Sequence, residues 1–292
     1  MKRLLVLLSV FALAIGGCKH PSEVELVDET AVTNLEAFAV SLPDSNIATA
    51  SVDSTGVLPD EEVKAAAAFL INAVTWDAGS VKRSIAYSRV FFADSVARLS
   101  STAVGFVGRD VGSVVLDGAL MVKVPHRIPI LRPILSDSAI VRGVEYLADL
   151  SSTYQHDHAY TWTVINRLQP VLIVGERTPE ALTVLSPRGG AIHPRSSNMP
   201  IVWNGGKGKM TVIISYYDVL KKRTRPLIEL RVRTNNGRGV IPSKLLSQLP
   251  AGTTFVLTFV LANKTVTTVT QPVAGKVLSQ AAAVYNVFVE LR

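Results

Sequence analysis

The sequence predicts a mainly all-β protein with two antiparallel β-sandwich domains in tandem after a signal peptide and a flexible tether. Three observations support this fold class. Apolar and polar residues alternate in many short stretches, turn dipeptides such as Asp117-Gly118 and Asn236-Gly237 separate them, and regular helical patterns between them are scarce. Strands that follow each other without helical crossovers are typical of antiparallel sandwiches.

The first seventeen residues have the three parts of a secretory signal peptide. Lys2 and Arg3 are followed by an uncharged apolar run over 4–15, and then by the small residues Gly16 and Gly17. This order of charge, apolar run and small residues is typical of a cleaved secretion signal. The apolar run is shorter than the ~20 residues that a membrane-spanning helix needs.

The end of this segment, Ile15-Gly16-Gly17-Cys18, resembles the lipobox of bacterial lipoproteins. The resemblance implies cleavage before Cys18, acylation of that cysteine and anchoring in the cell envelope. Lys19 stands where an aspartate would favour the inner membrane, which implies the outer membrane if the host is Gram-negative. Cys18 is the only cysteine, so an acylated chain has neither a disulfide nor a cysteine nucleophile.

Charge divides the mature chain into three parts. Residues 18–60 carry eight acidic residues and one basic residue, which predicts a flexible acidic tether. Residues 61–180 are balanced and form the predicted first sandwich-like domain, whereas 181–292, the predicted second domain, carry fifteen Lys or Arg and only three acidic residues. A basic domain of this kind favours anionic partners.

In the first domain, residues 61–75 fit a helix capped by Asp60, and the alternative is a buried strand over 66–74. The apolar runs around Asp117-Gly118 predict a hairpin with a tight turn. Alternation over 160–164 predicts a strand with Tyr160, Trp162 and Val164 on one face. An irregular connection is expected between these strands, where prolines recur at positions 125, 129 and 133.

In the second domain, strands are predicted from alternation, and a short helical crossover from 243–249. The residues expected to share inward faces are Val212, Ile214 and Tyr216; Ile228, Leu230 and Val232; Phe255, Leu257, Phe259 and Leu261; and Tyr285, Val287, Val289 and Leu291. Glu229, Arg231 and Arg233 are then expected to face outward.

The stretch SPRGGAIHPRSSNMPIVWNGG and the later GVIPSKLLSQLPAGTTFVLTFV resemble immunoglobulin-like or fibronectin type III-like modules of bacterial surface lipoproteins. The shared features are a Pro-Gly start, a core tryptophan at Trp203, and a crossover with a leucine pair between prolines. This resemblance covers about 110 residues and implies an immunoglobulin-like second domain. The sequence departs from the pattern in having no cysteine pair beside Trp203.

Clustered cations are the main candidate binding residues, and we predict that they bind an anionic polymer. The set is Lys207, Lys209, Lys221, Lys222, Arg223, Arg225, Arg231, Arg233 and Arg238. Lipopolysaccharide, an acidic polysaccharide, teichoic acid and nucleic acid all have the required charge. Few aromatic residues other than Tyr216 and Tyr217 accompany the cations, which disfavours nucleic acid. A solvated basic face without a ligand is the alternative interpretation.

Motifs for catalysis or metal binding are weak, and we predict no enzyme, metal or cofactor. His156-Asp157-His158 is the one metal-like cluster, but no third ligand is evident nearby and a polar loop before the Tyr160 strand is the favoured interpretation; His20, His126 and His193 are isolated. No Gly-x-Ser-x-Gly motif occurs, and the glycine-rich 205–209 lacks the spacing of a phosphate-binding loop.

The sequence therefore supports three hypotheses. The first is a non-catalytic, membrane-anchored envelope lipoprotein that binds an anionic envelope polymer or an acidic protein partner. The second is a structural or assembly subunit that pairs with another protein through its sandwich edges. The third is a hydrolase of unknown substrate.

Overall fold

A computed structural model describes residues 35–39, 65–98, 104–129, 139–167, 169–206, 208–218 and 223–292 of the chain. The described residues form strands almost throughout, with one short helix, so the predicted all-β class is confirmed. They belong to a single compact unit, residues 31–292. Within the described part of the chain, no helix has the length and hydropathy to cross a membrane.

Most strands belong to one large sheet of eleven strands. Their bounds are β1 (Leu35–Ala39), β2 (Ala67–Asp77), β3 (Lys82–Arg98), β4 (Val104–Gly108), β7 (Val122–Pro129), β8 (Ala139–Asp149), β12 (Ala191–His193), β14 (Lys209–Asp218), β15 (Arg223–Val232), β17 (Thr253–Val269) and β18 (Gly275–Leu291). The order across the sheet is β1-β15-β14-β17-β18-β2-β3-β4-β8-β7, with β12 added alongside β18.

Two smaller sheets and one short helix complete the fold. The four-stranded sheet contains β5 (Ser113–Leu116), β6 (Ala119–Leu120), β9 (Ala159–Asn166) and β10 (Gln169–Arg177). The three-stranded sheet contains β11 (Thr183–Ser186), β13 (Met199–Asn204) and β16 (Arg238–Ile241), and helix α1 is Ser243–Leu246.

Both smaller sheets pack on the same face of the large sheet, which we call the inner face. The C-terminal core lies under the three-stranded sheet, where the Trp203 and Phe259 rings are 6.1 Å apart. The N-terminal core lies under the four-stranded sheet, where the fully buried Trp162 is 5.5 Å from the Phe69 ring. The Trp162 indole N–H also donates to Ser88 Oγ at 3.0 Å, so this buried polar atom has a partner.

The predicted inward faces of the second domain are confirmed. The four sets of alternating residues on β14, β15, β17 and β18 all line the C-terminal core, with Tyr216 and Val232 partly buried at its margin. Tyr160, Trp162 and Val164 share the N-terminal core in the same way. Asp117 and Gly118 both have positive φ, at 46° and 84°, which fits the predicted tight turn between β5 and β6.

The tandem arrangement of two separate antiparallel sandwiches is not confirmed. Strand β18 lies in the C-terminal half of the chain but pairs in parallel with β2, from Val277↔Ala67 to Val287↔Asp77. The two cores therefore lie along one mixed sheet. This pairing also shows that Ala67–Asp77 is a strand and not the helix that the sequence allowed.

Two local expectations are wrong. Pro125 and Pro129 belong to strand β7 and not to an irregular connection; β7 ends the order of the large sheet, a position at which proline is tolerated. Glu229 is buried, with only 7% of its surface exposed, although alternation predicted an outward side chain. The reason is that the large sheet is buried on its second face as well as on its inner face.

The second face, which we call the outer face, mixes apolar and polar side chains. Val260, Ala282 and Val284 belong to its apolar cluster. Asn286 is hydrogen bonded there, because it accepts from Thr258 Oγ1 at 2.7 Å. In contrast, Asn72 is 1% exposed and neither its Oδ1 nor its Nδ2 has a hydrogen-bond partner. A buried amide without partners lowers the stability of the folded chain.

We therefore expect Asn72→Leu to raise the free energy of unfolding by about 1–2 kcal/mol, because an apolar side chain of similar size removes an unpaired buried amide. Asn286→Leu is the matched control. It should lower the free energy of unfolding, because the Thr258 hydroxyl then loses its acceptor. Urea denaturation of both variants and the native chain measures the free energies of unfolding. A destabilised Asn72→Leu variant would contradict the claim that the Asn72 amide is buried without a hydrogen-bond partner.

Candidate anion-binding surface

The structure separates the predicted basic residues along strand β15. Arg223 and Arg225 lie at its beginning, where their backbones pair with Asp218 and Tyr216. Arg231 lies near its end, opposite Thr211. Arg225 and Arg231 are six positions apart along the strand, which corresponds to about 20 Å. Lys207, Lys221 and Lys222 lie outside the described residues.

The four cations at the end of β15 come from three segments of chain. We call them the basic end: Lys209, Arg231, Arg233 and Arg238. Because Thr211 is opposite Arg231, Lys209 at the start of β14 lies at the same end of the strand pair. Arg233 directly follows β15, and Arg238 begins β16. All four side chains are exposed.

The side chain of Asn235 holds two of these segments together. Its Nδ2 donates to the Gly206 carbonyl at 2.7 Å and its Oδ1 accepts from the Trp203 indole N–H at 2.8 Å. The Trp203 backbone N–H donates to the Gly237 carbonyl at 2.9 Å. The β15–β16 connection, with Arg233, is therefore fixed against the β13–β14 connection, which precedes Lys209.

The glycine-rich connection from β13 to β14 has a structural explanation. Gly205 and Gly208 have φ of 144° and 147°, a region that favours glycine. A Cβ atom on Gly205 would lie 2.5 Å from the Ala181 carbonyl oxygen. These glycines are required by backbone conformation and close approach, so their presence gives no support to phosphate binding.

Arg231 of the basic end forms an ion pair with a neighbouring acid. Arg231 Nε lies 2.7 Å from Glu229 Oε1, and the Glu229 side chain is only 10% exposed. A buried carboxylate needs such a partner, because an unpaired charge in the interior is strongly unfavourable. Lys209, Arg233 and Arg238 add three further exposed basic side chains at this end of the strand pair.

The His156-Asp157-His158 cluster forms a polar loop before β9. His158 Nε2 is 3.1 Å from Asp117 Oδ2, and the Thr161 backbone N–H donates to Asp117 Oδ1 at 2.8 Å. Asp157 pairs with Arg177 at 2.7 Å. Burial lowers the pKa of His156, whose ring contacts Tyr154 edge-on at 5.0 Å. These contacts attach the loop to the β5–β6 turn and to the end of β10.

Groups of three or more His, Cys, Asp or Glu side chains arranged to hold a metal ion are absent from the described residues. The nearest arrangement to a nucleophile and base is Ser197 Oγ, which lies 3.2 Å from His193 Nε2 within a tight turn. His193 Nε2 is also 3.1 Å from the Ser197 carbonyl oxygen. Among the described hydrogen bonds, no acid orients His193 as a catalytic triad would require.

A further charged cluster was not predicted from the sequence. Glu145 Oε2 lies 2.9 Å from Arg89 Nε and 3.2 Å from His126 Nδ1, and the His126 ring lies 4.5 Å from the Phe91 ring. Burial by itself would raise the pKa of Glu145, but the hydrogen bond from His126 and the charge of Arg89 outweigh it and lower that pKa. Since the three residues are far apart in sequence, no local pattern indicated the cluster.

Comparison of the chain with protein-family models, with curated proteins and with solved structures found no match.

Loss of the Asn235 contacts should destabilise the basic end. In Asn235→Ala, the buried Trp203 indole N–H loses its acceptor, which we expect to lower the free energy of unfolding by about 1–3 kcal/mol. Asn236→Ala is a neighbouring control at an exposed turn position and should have a smaller effect. Thermal or urea denaturation makes the comparison, and equal effects of the two substitutions would show that the Asn235 contacts contribute little.

The Glu145 cluster predicts a pH dependence of stability. A carboxyl whose pKa is lowered on folding stabilises the protein above its unfolded pKa, and that contribution disappears as pH falls through its folded pKa. Glu145→Gln should therefore lower the free energy of unfolding by about 1–2 kcal/mol at neutral pH, and the difference from the native chain should shrink below about pH 4. Urea denaturation at several pH values tests this. Asp149→Asn, at an exposed carboxyl, is the control and should have a smaller effect; a difference that does not change with pH would refute the prediction.

Proposed function

We propose that this chain is a non-catalytic envelope lipoprotein, anchored through lipid on Cys18, whose basic end binds an anionic envelope polymer. The observation that carries the proposal is that Lys209, Arg233 and Arg238 all lie at or beside one end of the β14–β15 strand pair, where Asn235 joins the neighbouring connections. Because hydrogen bonds already fix the backbone that carries these cations, the connections themselves need not be ordered when a ligand binds, which favours affinity.

The charge distribution favours a polymer over a small ligand. The basic end is an exposed surface formed by strand ends and loops, and residues 181–292 carry fifteen Lys or Arg against three acids. An extended anionic chain contacts many such cations at once and releases counterions when it binds. Lipopolysaccharide and acidic polysaccharide are therefore the proposed ligands, with an acidic protein as a further partner and nucleic acid disfavoured.

A non-catalytic role is supported by the contacts of the histidine and carboxylate side chains that could act in catalysis. His158 and Asp157 hold the loop before β9 to neighbouring strands, and Glu145 is shared between a cation and a histidine. These are contacts that stabilise a fold. The proposed localisation in the cell envelope, at the outer membrane if the host is Gram-negative, rests on the lipobox resemblance at the N-terminus.

Binding of the full chain, with Cys18→Ser to keep it in solution, to lipopolysaccharide and to polygalacturonate at rising salt tests the proposal. We expect the Lys209→Ser, Arg233→Ser, Arg238→Ser triple variant to bind at least about tenfold more weakly. Its log affinity should also fall less steeply with log salt, by about one unit for each cation that contacts the polymer.

The matched control removes cations at the other end of β15, with Arg223→Ser and Arg225→Ser. We expect this double variant to keep most of the affinity. If the control loses as much affinity as the triple variant, binding depends on net charge and not on the basic end. If the native chain binds neither polymer at moderate salt, the proposed function is wrong.

A further inference from the structure

The second half of strand β17 forms an exposed edge inside the large sheet. Strand β14 pairs with β17 only as far as Lys209↔Ala262, whereas β18 pairs with β17 along its whole length to Val269↔Gly275. Along 265–268, no strand among the described residues pairs with the side of β17 that faces away from β18. Residues 264–268 are all exposed, on both faces of the sheet.

The amino-acid composition of this edge favours pairing with another strand. Its sequence, Lys264-Thr265-Val266-Thr267-Thr268, is rich in β-branched residues, which favour extended pairing. Residues 265–270 contain neither a charge nor a proline, the features by which sheets commonly protect their edges. In contrast, strand β7, which ends the order of the large sheet, carries Pro125 and Pro129.

The edge is also held in an extended conformation before any partner arrives. The strand beside it, β18, contributes the buried Val277 and Ala281 to the N-terminal core, and Val269 at the end of β17 packs against the same core. On the other side of the edge, Asn263 Nδ2 donates to the Arg177 carbonyl at 2.7 Å. An incoming strand therefore does not need to order this segment.

We propose that a second copy of the chain pairs antiparallel with this edge, so that residues 264–268 of each copy form one continuous sheet across a two-fold axis. A two-fold axis perpendicular to the sheet requires one residue to lie opposite its own copy. If that residue is Val266, which is 52% exposed, Thr265 lies opposite Thr267 and Lys264 lies opposite Thr268. All five exposed residues are then paired, and no two lysines lie opposite each other.

Self-complementarity is what favours a second copy as the occupant. In each copy, residues 265–268 are uncharged and β-branched, and one side of this stretch is open for a further strand. The same residues can therefore both offer a strand and accept one. The partner strand would lie in line with β14, in the space ahead of Lys209. Because the interface is small, we expect a weak dimer that forms at high local concentration, such as that of a lipid-tethered protein.

Cross-linking tests the register. In the full chain with Cys18→Ser, Val266→Cys introduces the only cysteine, and directly opposite residues of an antiparallel pair have Cα atoms close enough for a disulfide. We expect oxidation to convert this variant to a disulfide-linked dimer. Val81→Cys is the matched control, because Val81 is 54% exposed but lies in a turn. Similar cross-linking of both variants would overturn the proposal.

Sedimentation velocity at rising protein concentration tests the interface without a cysteine. Val266→Lys should weaken self-association at least about tenfold, because it places two like charges opposite each other. Val81→Lys should leave self-association unchanged, and so should the triple variant of the basic end. A native chain that stays monomeric throughout, or a dimer that Val266→Lys does not weaken, would show that this edge is not the interface.

Discussion

The long β17–β18 hairpin is the constraint on which the rest of the structure depends. Seventeen consecutive residue pairs join the two strands, from Thr253↔Leu291 to Val269↔Gly275. Alternate residues of β18 enter both cores, with Val287 in the C-terminal core and Ala281 in the N-terminal core. Strand β14 pairs with one side of the hairpin and β2 with the other. Neither half of the chain therefore has a complete core without this hairpin.

A sheet that is buried on both faces must pair its polar groups internally. Glu229 is paired with Arg231, and Asn286 with Thr258, at positions where simple alternation would place side chains in solvent. The cluster of Arg89, Glu145 and His126 follows the same rule. Among the described residues, the Asn72 amide on the outer face is an exception, and its burial without a partner lowers stability.

The two proposed binding surfaces both lie where strand pairing in the large sheet stops. The basic end lies where the β14–β15 pair ends, and the exposed edge lies where β14 no longer pairs with β17. Asn235 fixes the connection that follows β15 to the connection that precedes β14, and the cations of the basic end lie beside these two connections. Strand β14 begins at Lys209, and the remainder of β17 is therefore left as an exposed edge. The cations themselves were recognisable from the sequence, but their division between two ends of β15 was not, because cross-strand register decides it.

Sequence alone determined the all-β class, the strand faces and several turns, because period-two alternation and turn residues such as Asp117-Gly118 act locally. Tertiary structure decided what depends on distant partners. Ala67–Asp77 is a strand because it pairs with β18, about two hundred residues later, and this long-range pairing overrides the helix propensity of its alanines. The burial of Glu229, and the union of two predicted domains along one sheet, likewise depend on long-range pairing that local patterns do not record.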